Sequence, residues 1–165
     1  MKAIAAAVMG IAVAGTAVVL AAPSRASFDP ADYFLGRTRG EAVLHKMFGK
    51  PVRITVESVG RKAPNDDLIL DQVVREAGKA PDRRRWVLRR VSANRLTGTM
   101  TAAEGPVEVE VEGPGASIRY RMKGRLKVDQ QLTLQPDGRT VRNHMTVKKL
   151  GLRVARLEET IRKLD

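Results

Sequence analysis

The sequence contains no cysteine and only two histidines, His45 and His144. It therefore forms no disulfides, and thiol nucleophiles, thiolate metal sites and a lipid-modified N-terminal cysteine are all excluded. Aromatic residues are scarce: Phe28, Tyr33, Phe34, Phe48, Trp86 and Tyr120 are the whole supply. So few rings do not build the stacking platform that single-stranded nucleic acid requires, and nucleic acid is not an expected partner. Absent as well are G-x-S-x-G, H-E-x-x-H, a phosphate-binding Walker loop and a dinucleotide fingerprint. No nucleophile with a matching base can be named. The expectation is a protein that is not an enzyme and uses no metal or other cofactor. Acidic residues are in deficit too, 18 against 30 Lys and Arg, for a formal net charge of +12.

What the chain does have begins at its N-terminus. Lys2 precedes an uncharged run from Ala3 to Ala22, and Pro23-Ser24-Arg25-Ala26 stands before the polar Ser27. A basic start, an apolar middle and the small residues Ser24 and Ala26 three and one positions before a cut read as an export signal over residues 1–26. An apolar run of about 20 residues also just spans a bilayer, so a retained anchor is the alternative; the Ala-rich run with Gly10, Gly15 and Thr16 favours cleavage. Cleavage removes Lys2 and Arg25 but no acid, so residues 27–165 keep a charge of +10 and have the length of a single domain with one core. An Ala-rich signal on a chain without disulfides suits a bacterial periplasm, with secretion beyond the cell as the other destination.

From Gly40 onward, turn signals recur every eight to twelve residues, as at Gly49-Lys50-Pro51, Gly78-Lys79-Ala80-Pro81 and Gln135-Pro136-Asp137-Gly138. Short strands are predicted over Glu41–Met47, Val52–Gly60 and Asp67–Glu76, ahead of three hairpins. Val107, Val109 and Val111 alternate with glutamates, and Ile118, Tyr120 and Met122 alternate with Arg119, Arg121 and Lys123. A four-residue loop Gly113–Ala116 would set Glu110 opposite Arg119 and Val109 opposite Tyr120, with one apolar and one charged face. A second hairpin sets Gln130 opposite Asn143 and Leu132 opposite Val141. A third turns at Ala93-Asn94 and pairs Val87 with Met100; apolar residues fall on both of its faces, so the inward one stays open. Before the first strand, Asp29 is placed to cap a short helix with Pro30 at its first position and Gly36 ending it. At the C-terminus, Leu150, Val154, Leu157, Ile161 and Leu164 have helical spacing, although Gly151–Val154 could equally continue a strand. Many short antiparallel strands point to a sandwich or a closed up-and-down barrel, and closure removes exposed edges.

The order of several motifs resembles a family of small exported bacterial proteins known as domain of unknown function 3833. They are Asp32-Tyr33-Phe34-x-Gly36, Phe48-Gly49, Leu68-x-Leu70-Asp71, Arg85-Trp86-x-Leu88, Leu96-x-Gly98-Thr99, Tyr120-x-Met122, Leu134-Gln135-Pro136-Asp137-Gly138, Asn143 and Lys149-x-Gly151. The resemblance implies an all-β, lipocalin-like antiparallel barrel of about eight to ten strands with a short N-terminal helix, in which the segment after Gly151 is a closing strand and not a helix. It implies no activity. The chain departs from the family's acidic and aromatic tendency at Gln72–Arg75 and at Asp129–Leu132.

Neither histidine reads as catalytic. His144 shares a face with Arg142 and Lys148, and His45, beside Val43 and Met47, reads as a hydrogen-bonded lining residue. Asp66-Asp67 and Glu158-Glu159 read as a loop and a solvated face. The leading functional expectation is a noncatalytic barrel that holds an apolar small molecule or lipid, such as an acyl chain or isoprenoid, at the envelope. Its cavity candidates are Val109, Tyr120, Met122, Gln130, Leu132, Val141, Asn143 and Met145. The alternative is a peripheral adaptor whose basic surface, Arg119, Arg121, Lys123 and Lys127, binds anionic membrane or another polyanion without an internal ligand. N-terminal sequencing of protein recovered from the envelope is expected to begin at Ser27; an intact Met1 in the membrane fraction would identify a retained anchor instead.

Overall fold

Period-two alternation of apolar and polar residues runs through ten antiparallel strands. The computed structural model describes residues 27–165; the expected signal peptide, residues 1–26, lies outside the described residues. After a one-turn helix α1 (Pro30–Tyr33) come β1 (Gly36–Lys46), β2 (Val52–Lys62), β3 (Leu68–Glu76), β4 (Asp82–Ser92), β5 (Arg95–Met100), β6 (Val107–Glu112), β7 (Gly115–Met122), β8 (Leu126–Leu134), β9 (Thr140–Lys149) and β10 (Leu152–Lys163). Each strand pairs with the next, and β10 pairs with β1, so the sheet is a closed, lipocalin-like up-and-down barrel. The C-terminal segment is thus the closing strand, against the helical spacing of its leucines: Leu157 and Ile161 point inward because burial of alternate residues decides.

Helix α1 and the β2–β3, β4–β5, β6–β7 and β8–β9 turns gather at one end, which is closed. Asp29 caps α1 by accepting from the Ala31 amide, as its position predicts. Phe28, Tyr33 and Phe34 stack edge to face beneath the barrel, with ring centroids 5.6 and 5.1 Å apart. The Tyr33 hydroxyl donates towards the carbonyls of Arg139 (2.8 Å) and Ile161 (3.1 Å). Its pKa is pushed up to about 12, chiefly by burial and then by the charge of Asp137. Lys163 Nζ donates to the carbonyls of Tyr33 and Leu35, both at 3.0 Å, and so satisfies groups that a one-turn helix leaves open. Above this plug Leu96, Met100, Val107, Val109 and Val141 pack together in the interior.

Three hairpins fold with corrected registers. In β6–β7, Gly113 takes φ 53° at the first position of a two-residue turn, so Val109 faces Ile118 and Glu110 faces Ser117. The expected four-residue loop is therefore two residues too long. The faces survive because a shift of two preserves side-chain direction. A shift of two in the opposite sense occurs in β8–β9, where the connection is two residues longer than expected and Gln130 faces Met145 and Leu132 faces Asn143. In β4–β5 the shift is by one residue: Trp86 and not Val87 faces Met100, and a bulge between Arg90 and Ser92 absorbs the difference. That bulge turns Trp86 and Leu88 inward together with Leu96 and Met100, which answers the question the pattern left open. In β1 the buried Thr38, Gly40 and Ala42 define the inner face. His45, an odd-numbered neighbour of Val43, therefore lies on the outer face and does not line the interior.

Val109 is 2% exposed and Glu110 is outside. Val109→Asp, which buries an unpaired carboxylate, is expected to cost about 3–5 kcal/mol, while Glu110→Gln should change stability by less than about 1 kcal/mol. Thermal or urea unfolding of the two variants measures both.

Candidate functional site

The barrel is hollow along one side. A cavity of about 390 Å³ runs from the α1 plug, where Pro30 and Phe34 line it, to the end formed by the β3–β4 hairpin, where Glu76, Lys79, Ala80 and Asp82 stand at its mouth. Its upper wall is apolar, made by Leu44, Ile54, Val56, Val74, Met145 and Leu157. The cavity lining as a whole comes from β1–β4 and β7–β10; β5 and β6, six residues each, contribute none of it.

Below this wall a belt of polar groups crosses the interior. Asn143 Nδ2 donates to Glu159 Oε2 (2.9 Å) and to Gln130 Oε1 (3.0 Å), and Gln130 Nε2 donates to the Tyr120 hydroxyl (3.1 Å). The Tyr120 ring meets Trp86 edge to face at 5.5 Å. Trp86 Nε1 donates to Gln72 Oε1 (2.6 Å), and Gln72 Nε2 donates to Ser58 Oγ (3.1 Å). Two acceptors are left over. Asn143 Oδ1 is buried without a partner, since the amide's nitrogen is already committed to two oxygens. Glu159 has no cation at ion-pair distance among the described residues, and its carboxylate occupies space that a side chain at Gly40 would take: a Cβ there would overlap Oε1. Burial raises the Glu159 pKa, opposed only by the bond from Asn143, and burial likewise raises that of Tyr120. A half-buried carboxyl inside the barrel without a counter-charge and an orphaned buried carbonyl are costly unless something donates to them.

At the mouth the charges are paired. Arg84 Nε bonds Asp82 at 2.8 Å, and Glu76 lies 2.9 Å from Lys79 and 3.4 Å from Lys46. Hydrogen bonds from the lysines, Lys79 first, hold the Glu76 carboxyl below its ordinary pKa.

Of the residues expected in a cavity, Tyr120, Gln130, Leu132, Asn143 and Met145 line it. Val109 and Val141 are buried in the packed core outside it, and Met122 packs beside the core near the β7–β8 turn. Lining residues that sequence reasoning did not single out are Ser58, Gln72, Arg84, Trp86 and Glu159. Glu159 corrects the reading of Glu158-Glu159 as a solvated pair: in a strand the two point to opposite faces, and only Glu158 is outside. The signal that could have found it is the alternation of Leu157, Glu159 and Ile161. Asp67 is likewise buried and bonded to Arg89 at 3.1 Å, whereas Asp66 is an exposed turn residue. The basic candidates are all outside: Arg119 reaches Glu110 at 3.5 Å, Arg121 stands opposite Lys127, and Lys123 is in the β7–β8 turn.

Residues 8–163 match the family described as protein of unknown function (DUF3833). No curated protein matches the chain. Among solved structures, an S-type phycobiliprotein lyase (CPES) from Guillardia theta superposes with a TM-score of 0.66 at 7% identity, covering 82% of this chain and 90% of its own. Rv2717c from M. tuberculosis gives a TM-score of 0.62 at 14% identity, covering 83% and 99%. A DUF3598-family protein from Nostoc punctiforme gives 0.61 at 13% identity, covering 84% of this chain and 50% of its own. At such identities the likeness is one of fold.

The Glu159 environment makes stability depend on pH with a definite sign. With a folded-state pKa above the ordinary 4.5, the native state holds a proton that the unfolded chain releases, so this contribution is complete below pH 4.5 and fades as pH rises through the folded value. Glu159→Gln keeps the shape and removes the titration. The melting temperature of the parent is expected to fall relative to Glu159→Gln as pH rises from about 4 to 8; parallel curves would place the carboxyl in solvent.

Proposed function

We propose that this chain, which belongs to the DUF3833 family, is a noncatalytic barrel that carries a small, mainly apolar molecule with one hydrogen-bonding end, and that it does so after export to the cell envelope. The observation that carries the reading is the cavity inside the barrel, about 390 Å³ from the α1 plug to the mouth and within the usual range for small-molecule sites. Apolar walls above a polar belt suit a molecule such as an acyl chain or isoprenoid derivative. Its apolar body would rest on Ile54, Val56 and Val74, and its donor would reach Asn143 Oδ1 and Glu159.

At the belt the Ser58 and Tyr120 hydroxyls accept bonds from the amides of Gln72 and Gln130. Both histidines fall on the outer face of their strands, and among the described residues no group of three His, Asp or Glu converges as a metal site. The likeness to a phycobiliprotein lyase is one of fold alone, and the carrier reading rests on this chain's own cavity.

Filling the cavity tests the proposal. Val56→Trp and Val74→Trp place an indole in the cavity, and each is expected to abolish binding of a fluorescent fatty-alcohol or fatty-acid probe with little change in melting temperature. In a packed interior the same substitutions would cost roughly 1–3 kcal/mol from overpacking. Destabilised variants, together with a parent that binds no probe and shows no co-purified small molecule in native mass spectrometry, would overturn the carrier reading.

A further inference from the structure

We infer that the open end of the barrel docks on an anionic lipid bilayer, inserting the tips of the β1–β2 and β9–β10 hairpins. The two tips are neighbours because β1 pairs with β10, and the Met47 amide bonds the Val154 carbonyl at 2.8 Å. They carry Phe48 (84% exposed), Leu150 (74%), Leu152 (67%) and Met47 (50%). Among the described residues the remaining exposed large apolar side chains, Val59, Val91 and Leu164, lie at the other end of the barrel. Phe48 stands out among the six aromatics: the other five are at most 7% exposed, and this one projects from the rim at the open end. Leu150 holds φ 49° beside Gly151 at φ 84°, in a turn whose first position ordinarily takes Asn, Asp or Gly. A bulky apolar side chain has been kept there at a conformational cost.

Charge identifies the occupant. Across the outer face at this end, Arg121 stands opposite Lys127, Lys127 opposite Lys148, and Lys148 opposite Arg153. Directly opposed like charges in a sheet repel, and this row crosses four strands. None of the four has an ion-pair partner among the described residues, nor do Lys50, Arg53, Lys149 and Arg156 around the tips. An unneutralised cationic row flanking projecting apolar tips matches a surface that offers phosphates at one depth and acyl chains just below. Anionic phospholipid has that layering. A soluble polyanion would neutralise the row but leave Phe48, Leu150 and Leu152 in water. The aromatic grooves that nucleic acid stacks on are missing here.

The inference does not need the cavity to be occupied. It adds a place for the ligand's exchange, since the mouth then faces the bilayer. The test uses residues 27–165, with Phe48→Trp as the reporter against the constant buried Trp86. On phosphatidylcholine vesicles containing phosphatidylglycerol, its emission is expected to shift to the blue and to be quenched by brominated acyl chains, and on pure phosphatidylcholine to do neither. Lys127→Gln, Lys148→Gln and Arg153→Gln combined should weaken partitioning roughly tenfold or more. Phe48→Ser with Leu150→Ser should weaken it comparably while leaving melting temperature and cavity-probe binding intact. No shift on anionic vesicles would overturn the inference. So would binding that ignores the tip variants, which is plain electrostatic adhesion, or equal binding to neutral vesicles. Because the cavity probe is measured without vesicles, failure of docking and failure of the carrier reading are told apart.

Discussion

Pairing of β10 with β1 is the contact on which the rest of this structure depends. It runs from Thr38 opposite Lys163 to Lys46 opposite Ala155, and it converts a ten-strand meander with two open edges into a sheet with none. Three further arrangements follow from that seam. It sets Glu159 opposite Ala42, two residue pairs along the ladder from the Gly40 notch that receives the carboxylate. It carries Lys163 under α1, where its ammonium closes the helix carbonyls. It also brings the Met47–Phe48 and Leu150–Leu152 tips to one edge of the mouth. A chain that ended before β10 would lose the cavity's polar anchor, the plug's clamp and the paired tips together, in addition to the seam's own hydrogen bonds.

The closed and open ends of the barrel solve different problems. At the closed end nearly every group that α1 exposes is answered: Asp29 caps the helix and bonds Arg90, the Phe28 amide bonds the Gly113 carbonyl, and Tyr33 bridges β9 and β10. Tight apolar packing above it supplies the burial that stabilises a domain without disulfides. At the open end the balance is reversed. Interior volume is left unfilled, acceptors are left unpaired, a leucine occupies a strained turn and cations face cations. Each of these costs free energy relative to a filled and neutral alternative, and their concentration at one end is the pattern expected where a site has been kept at the expense of stability.

Much of this was legible in the chain before any coordinates. Alternation identified the strands and, in β6–β9, the correct inward faces, because burial fixes parity even where loop length is misjudged by two residues. What alternation could not fix was anything that breaks it. The β4–β5 bulge shifted Trp86 inward by one position, and no residue type announces such a bulge in advance. His45 was misplaced because Val43 and Met47 are apolar and yet lie outside, one in contact with solvent at a half-buried flank and one on a tip. Glu159 was misread because the leucines of β10 also fit a helix, and in a helix Glu158 and Glu159 would share a polar face. Val109 and Val141 were sound as inward residues. Which side of a barrel is hollow, however, depends on strand length around the circumference and on where the plug sits, and neither is written in a single hairpin.

The belt shows how small changes in residue type tune such an interior. Gln72 and Gln130 both lie in it. An amide gives and accepts in one plane, so each glutamine relays a bond from one neighbour to the next: Trp86 to Gln72 to Ser58, and Asn143 to Gln130 to Tyr120. Carboxylates at those positions would accept but not relay, and would place further negative charges within the same low-dielectric space as Glu159. With amides there, the belt satisfies itself along most of its length and concentrates its unmet demand at the Asn143–Glu159 corner. On the carrier reading proposed above, one corner with two acceptors short of donors, beneath an apolar wall, would select a ligand by a single donor and leave the rest of the molecule to be recognised by shape.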